Sequence, residues 1–195
     1  MLSRVLKCSV LFFLCGLCGC QSSPRLTESP PATPPVNSRS KSFDIQTRNN
    51  ALVLLGELLN DEKHLSAILI IKRESRELNS LVKEISDTAG KGAELVESEA
   101  KQDALKLSDN GLPPGEKATR DAISKTKEHQ LLHSKGAEFE FRLLLTQVEA
   151  LNYGAHLARI IADNEPQSER AEQFYQLSTH LTRLYDQNTS MVRKK

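Results

Sequence analysis

Residues 137–162 contain no proline and carry apolar side chains on nearly every side of a helical projection. A helix that is apolar all round must be buried, so this stretch predicts the central helix of a bundle. Turn-forming residues flank it at 134–136 and at 164–166. Its predicted core stripe follows the three- and four-residue spacing of a helix face and consists of Phe141, Leu144, Val148, Leu151 and Ala155.

Two long helices are predicted before this stretch. The first covers about residues 44–71, where apolar residues recur at helical spacing. Residues 72–75 are the preferred turn after it, although Asn60 and Asp61 could instead cap a new helix and bring the break forward. The second helix carries its apolar side from Leu78 to Leu107. Gly90 and Gly92 are expected to weaken or kink it.

The remaining elements complete a bundle. Residues 108–115 are rich in Gly and Pro and predict a loop, and a shorter helix at about 116–133 leads into the central one. Pro166 is expected in the first turn of a last helix, where its missing N–H is tolerated. The buried stripe of that helix is predicted to be Phe174, Leu177, Leu181, Leu184 and Met191 or Val192. The sequence therefore predicts an all-α fold, an up-down four-helix bundle with one extra short helix.

The N-terminus has the character of an export signal. Residues 1–7 are basic, and the apolar run at 10–17 is too short to cross a bilayer, which needs about 20 residues. The next residues, Leu17, Cys18, Gly19 and Cys20, resemble the bacterial lipoprotein signal. The resemblance implies that residues 1–19 are removed and that Cys20 becomes the lipidated N-terminus, with a diacylglyceryl group on its sulfur. The alternative is an ordinary secretory signal with a coincidental cysteine.

A Pro- and Ser-rich segment separates Cys20 from the helices. Residues 20–42 hold five of the eight prolines of the chain and few large apolar side chains, which predicts a disordered, flexible linker. In a polyproline-like conformation it could reach on the order of 70 Å, at about 3.1 Å per residue. No Asp follows Cys20, so the common inner-membrane retention signal is absent. We therefore expect residues 43–195 to form a helical domain that is tethered to the outer membrane and faces the periplasm.

Composition removes several classes of function. The formal net charge is +1, and without a basic stripe there is no electrostatic case for binding nucleic acid. All four cysteines (Cys8, Cys15, Cys18 and Cys20) lie in the first twenty residues, which leaves the helical domain without a disulfide or a thiol. No phosphate-binding loop, dinucleotide fingerprint, His-Glu-x-x-His motif or nucleophile elbow occurs. We expect no catalytic activity and no cofactor.

One set of polar and small residues has the spacing of a helix face, if the turn near Gly136 keeps the helical phase. It consists of His129, His133, Gly136, Glu140, Gln147, Leu151 and Gly154. His129 and His133 are four residues apart and could share a metal ion. The alternative is that the histidines are solvated and that the glycines allow close helix contact.

At these residues the sequence resembles a ferritin-like family of bacterial outer-membrane proteins whose function is unknown. The resemblance covers about residues 44–193 and implies a ferritin-like bundle. The matching residues are Glu62, Asp87, the Gly111-Leu112-Pro113 loop, and the Ser134-Lys135-Gly136-Ala137-Glu138-Phe139-Glu140 segment. The chain has Thr88 and Leu151 where the family has histidines. Di-iron bundles also need two Glu-x-x-His motifs, and the chain contains none, since residues 61–64 offer only Asp-x-x-His.

These observations favour a lipid-anchored helical bundle of the cell envelope that has an interaction or structural role, with a protein partner in the envelope as one possibility. The competing interpretation is a metal-binding bundle or oxidoreductase with a non-standard site. Its candidate ligands are Glu62, His64, Asp87, His129, His133, Glu140, Glu149 and His156.

Overall fold

The helical part of the chain begins at a capped helix end. Asp44 accepts hydrogen bonds from the backbone N–H (2.9 Å) and the hydroxyl (2.7 Å) of Thr47, which satisfies the first turn of the helix. Our computed structural model describes residues 43–70, 75–107 and 114–194. The predicted signal peptide, Cys20 and the linker lie outside these ranges, as do residues 72–74 of the predicted turn and 108–113 of the predicted loop.

Five α-helices and one short 3-10 helix make up the described ranges, which contain no β-strand. In chain order these are α1 (Ile45–Glu62), the 3-10 helix (Leu65–Ile70), α2 (Arg76–Gln102), α3 (Pro114–His133), α4 (Gly136–Asn164) and α5 (Ser168–Val192). The prediction of an all-α fold is confirmed.

Four of the helices form a bundle in which neighbours are antiparallel. Helix α1 packs against α2 and α4, and α5 packs against α4 and α2. Helices α2 and α4 both start at the same end, because Glu140 of α4 accepts a hydrogen bond from the backbone of Ser75, the N-cap of α2. The chain must therefore return along the length of the bundle between them, and α3 lies in this connection. A single long crossover of this kind is the arrangement of ferritin-like bundles.

The core fills the space between α1, α2, α4 and α5. Phe139, Phe174 and most of the leucines of these helices are almost completely buried. Of the stripe predicted for the last helix, Phe174, Leu177, Leu181, Leu184 and Met191 are buried. Apolar periodicity therefore located the inward face of α5 correctly.

The first helix ends nine residues earlier than the prediction of 44–71. After Glu62 the chain tightens, with a hydrogen bond from the backbone N–H of His64 to the carbonyl of Asp61, and passes into the 3-10 helix. The Ser86 hydroxyl on α2 donates to the freed Lys63 carbonyl at 2.5 Å, so a tertiary contact supports the break. Asn60 and Asp61 belong to the last turn of α1 and do not cap a new helix.

Helix α2 also differs from its prediction. It runs without interruption through Gly90 and Gly92, and it ends at Gln102 although the apolar pattern continues to Leu107. Ala104 adopts a left-handed conformation (φ 51°), and the backbone N–H of Leu105 donates to the carbonyl of Ala100 at 2.8 Å. This is the Schellman arrangement that terminates helices, here with Ala in the position that usually holds Gly.

Two expectations about α4 and α5 are wrong. Helix α4 is not buried all round, because Phe141, Leu145 and Ile160 are each about 40 % exposed. Helix α3 is short of apolar residues and covers this side of α4 thinly, with Leu145 lining a shallow groove between the two helices. Pro166 lies before α5, whose N-cap is Gln167. The Glu165 carboxylate accepts the Gln167 backbone N–H at 3.0 Å and so fixes the connection in an extended form.

Candidate functional site

The predicted metal ligands are distributed over the bundle. Among them, Glu62 and Glu140 are buried, Glu149 is half-exposed, and His64, Asp87, His129, His133 and His156 are exposed. Asp87 forms an ion pair with Lys83 at 2.7 Å, and Glu149 forms one with Lys127 of α3. No group of three or more His, Cys, Asp or Glu side chains that could hold a metal ion occurs in the part of the chain that the structure describes.

Glu140 has a structural contact that the sequence did not suggest. Its Oε1 atom accepts the backbone N–H of Ser75 at 2.8 Å, at the start of α2. The first backbone N–H groups of a helix have no partner within the helix, and a carboxylate there is also favoured by the helix dipole. The acid thus ties the start of α4 to the start of α2.

The polar face predicted to run from residue 129 to residue 154 does not exist as one surface. Helices α3 and α4 are separated at Ser134 and Lys135, and Gly136 has a φ of 54°, a backbone conformation that favours glycine. The helical phase therefore breaks at this turn. His129 and His133 remain on the exposed side of α3, whereas Glu140 and Gln147 are buried within the bundle.

The middle of the bundle is filled by leucines that lie against two glycines. A Cβ atom on Gly92 would lie 2.9 Å from Leu59 and 3.2 Å from Leu177. A Cβ atom on Gly154 would lie 2.9 Å from Leu58 and 3.4 Å from Leu181.

In a ferritin-like bundle the metal ligands are carboxylates and histidines that project inward from all four helices. In this bundle α1 and α5 contribute apolar side chains to that region, and α2 and α4 contribute glycines. At the level of these two glycines the residues therefore do not fit a di-metal centre.

A group of charged residues, all of them buried except the partly exposed Asp103, lies at one end of the bundle. We call it the ion cluster, and it consists of Arg48 on α1, Glu99 and Asp103 at the end of α2, Glu165 between α4 and α5, and Arg170 on α5. Arg48 lies 2.5 Å from Glu165 and 2.7 Å from Asp103. Arg170 pairs with Glu99 and lies 3.0 Å from Asp103. Two guanidinium groups and three carboxylates thus connect three regions that are distant in sequence: the start of α1, the end of α2 and the junction of α4 with α5.

Contacts within the ion cluster shift the pKa values of Asp103 and Arg170. Burial raises the pKa of the Asp103 carboxyl, but hydrogen bonds from Arg48 and Arg170 outweigh this effect and hold that pKa below its usual value. Burial lowers the pKa of Arg170, and its hydrogen bonds to Asp103 and Glu99 more than compensate. Both shifts favour the charged forms of Asp103 and Arg170, which is what an ion pair between them requires.

The sequence contains one signal for this cluster. Arg48 stands one helical turn before Leu52, the first leucine of the α1 stripe, and Arg170 stands one turn before Phe174 in α5. A basic residue on the same helix face as a buried apolar stripe must either enter the interior with its charge or direct its charged end away from the interior. Pairing across segments 51 or more residues apart, however, cannot be read from one chain.

Two further grooves run along the outside of the bundle. The larger, about 550 Å³, lies between α2 and α5 and is lined by both acids and bases, including Glu84, Asp87, Lys91, His180 and Arg183. The smaller, about 260 Å³, lies between α4 and α5 and includes His156. Both have mixed polar linings, and neither brings the predicted ligands together.

No helix in the described ranges is both long enough and apolar enough to cross a membrane. Comparisons of the chain with protein-family models, with curated proteins and with solved structures find no match. The resemblances to the lipoprotein signal and to the ferritin-like outer-membrane family therefore stay predictions.

Proposed function

We propose that this protein is a lipid-anchored component of the bacterial cell envelope, in which Cys20 carries the lipid and the bundle has a non-catalytic interaction or structural role. One observation carries the proposal, namely the order of features along the chain. An apolar run leads into Leu17, Cys18, Gly19 and Cys20, a proline-rich segment follows, and the capped helix α1 begins directly after it. This order, together with the absence of Asp after Cys20, supports attachment to the outer membrane with the bundle in the periplasm.

The lipid would provide stable attachment to the membrane, and the spacer would provide reach. One acyl chain binds a membrane only marginally, at about 0.8 kcal/mol per buried CH₂, so stable attachment takes two or more chains or a second signal. A diacylglyceryl group on one cysteine meets that requirement. A spacer with a reach of up to about 70 Å then lets the bundle contact partners away from the bilayer surface.

The packing of the bundle supports a role without catalysis. The middle of the bundle is filled by leucines, and the ion cluster and Glu140 hold helices and helix ends together. Catalytic carboxylates are usually placed in a cleft and near one another, with pKa values set for proton transfer. The buried acids Glu99 and Glu165 are instead opposed by arginines, and Glu140 is bound to backbone.

Replacement of Cys20 tests the attachment. We expect Cys20→Ser to be recovered in the soluble periplasmic fraction, and we expect Cys18→Ser to remain in the membrane fraction because serine is a small residue that the lipoprotein signal tolerates there. The measurement is the distribution of the protein after cell fractionation and detergent phase partitioning. A Cys20→Ser protein that still partitions with membranes would contradict the proposal.

Metal analysis tests the non-catalytic role. We expect detergent-extracted protein to contain no stoichiometric iron or manganese in the bundle interior. Bound iron or manganese that is lost in both Glu62→Gln and Glu140→Gln, while each variant keeps its helical circular dichroism, would contradict this role. These two residues are the appropriate pair because they are the predicted ligands that the fold buries.

A further inference from the structure

The large apolar side chains that the fold leaves exposed in the described ranges form two groups. Phe43 (39 %), Ile45 (46 %) and Ile160 (38 %) lie at the end of the bundle where α1 begins and α4 ends. The second group lies near the junction of α3 and α4 and consists of Leu132, Phe141 and Leu145. The rise of about 1.5 Å per residue along α4 places Phe141 on the order of 28 Å from Ile160.

Hydrogen bonds connect the members of the first group. The backbone N–H of Asp44 donates to Oδ1 of Asn164 at 3.1 Å. Nδ2 of Asn164 donates in turn to the carbonyl of Ile160 at 3.0 Å, one helical turn earlier and therefore on the same side of α4. Phe43 and Ile45 are the neighbours of Asp44 in the chain. We call Phe43, Ile45 and Ile160 the apolar patch, since all three stand beside this one contact between α1 and α4.

The apolar patch begins where the predicted linker ends. Phe43 directly follows linker residues 20–42, so the connection from Cys20 enters the helical domain at the patch. Arg39 and Lys41 stand within the last four residues of that linker. Basic residues beside exposed apolar ones are suited to a phospholipid surface, because the apolar groups enter the boundary between head groups and acyl chains while the cations meet the phosphates.

From this placement we infer that the apolar patch docks on the phospholipid leaflet that carries the anchor, an inference that rests on the proposed lipid attachment at Cys20. Three partly exposed side chains bind a bilayer weakly by themselves. The tether makes this contact intramolecular, with an effective concentration on the order of millimolar, so a weak contact is sufficient. The acid beside the patch, Asp44, is engaged by the backbone N–H and hydroxyl of Thr47. Docking places the bilayer at this end of the bundle, and so weak a contact can be released to use the full reach of the linker.

The absence of tryptophan from the chain allows a test with single fluorescent probes. The lipidated full chain carrying Phe43→Trp, Ile160→Trp or Phe141→Trp is reconstituted into vesicles of phosphatidylethanolamine and phosphatidylglycerol, with or without bromine on the acyl chains. Bromine quenches indole fluorescence only at contact range. We expect brominated vesicles to lower the fluorescence of Phe43→Trp and of Ile160→Trp at least about twofold, because an interfacial patch reaches the acyl boundary.

Phe141→Trp is the matched control. Phe141 is 40 % exposed, against 39 % for Phe43, but it belongs to the distant group. Its fluorescence should be the same in brominated and in plain vesicles. Each of the three variants changes an exposed side chain, so helical circular dichroism should match that of the native chain.

Flotation of the vesicles separates this inference from the proposed attachment. Protein that does not float with the vesicles would contradict the lipid on Cys20. Protein that floats while Phe43→Trp and Ile160→Trp stay unquenched would overturn the docking inference alone, whether the patch is then bare or covered by a second copy or another protein. Quenching of only one of these two variants, or equal quenching of Phe141→Trp, would also overturn it, because the leaflet would then not contact the patch as a unit.

Discussion

The Nε atom of Arg48, in the first turn of α1, lies 2.5 Å from Oε2 of Glu165, which follows α4. The two residues are 117 positions apart in the chain, and both side chains are at least 95 % buried. Their contact is the centre of the ion cluster and connects the start of the helical domain to the turn between α4 and α5. Bundle closure at this end therefore depends on charge as well as on apolar packing.

Removal of Arg48 should destabilise the bundle strongly. Arg48→Met keeps the apolar stem but leaves the buried Glu99 and Glu165 with one guanidinium group, and breaking a buried ion pair in this way costs about 3–5 kcal/mol. The measurement is the free energy of unfolding in urea. Arg183→Met is the control, because Arg183 pairs with Glu84 on the surface and both side chains are more than 40 % exposed. Exposed pairs contribute about 0–1 kcal/mol, so equal losses in the two variants would disprove a stabilising role for the cluster.

Asp103 should make the stability of the bundle sensitive to acid. Its folded-state pKa is lowered, with burial opposed and outweighed by hydrogen bonds from Arg48 and Arg170. A carboxyl with a lowered pKa contributes stability that is fully present above its unfolded pKa, about 3.9, and is lost as the pH falls through the folded value. We expect the native protein to lose more stability than Asp103→Asn when the pH is lowered from 6 to 3.

Urea midpoints at a series of pH values measure this difference. Asp87→Asn is the control, since Asp87 is an exposed acid on the same helix. The same dependence of stability on pH in Asp103→Asn and in the native protein would show that Asp103 is not a source of the acid sensitivity.

Alanine substitutions at the two glycines of α2 should change the stability of the protein in opposite directions. Nothing lies within 4 Å of a Cβ at Gly90, so Gly90→Ala should stabilise the helix by up to about 1 kcal/mol. A Cβ at Gly92 would lie 2.9 Å from Leu59 in the core, and overpacking of this kind typically costs about 1–3 kcal/mol. In thermal melting, the free energy of unfolding of Gly92→Ala should be lower than that of Gly90→Ala by at least about 1–3 kcal/mol. A stabilising Gly92→Ala would show that the leucine packing is looser than the structure indicates.

The helices could be predicted from the sequence because their inward faces have a strict apolar period. The stripe of α5 from Phe174 to Met191 and the existence of α2 and α4 follow from that period alone. Helix ends were less predictable. The end of α1 depends on a contact from Ser86 to Lys63, and the end of α2 depends on a left-handed Ala104, a residue with no turn preference.

The candidate sites were predicted less well than the fold for a related reason. The four-residue spacing of His129 and His133 on one helix predicts that the two side chains are neighbours, and the structure confirms that their rings are in contact. Glu140 was predicted as a ligand but caps α2, and the ion cluster was not predicted. Both depend on which helices are neighbours, and periodicity does not specify that.

The central claim, that Cys20 is the lipidated N-terminus, can be tested on one peptide. Trypsin should release residues 20–25 of the mature protein, which end at Arg25. Mass spectrometry of protein extracted from membranes should find this peptide starting at Cys20, with a diacylglyceryl group on the sulfur. An unmodified Cys20 within a longer peptide, or a mature chain that starts at any other residue, would contradict the account.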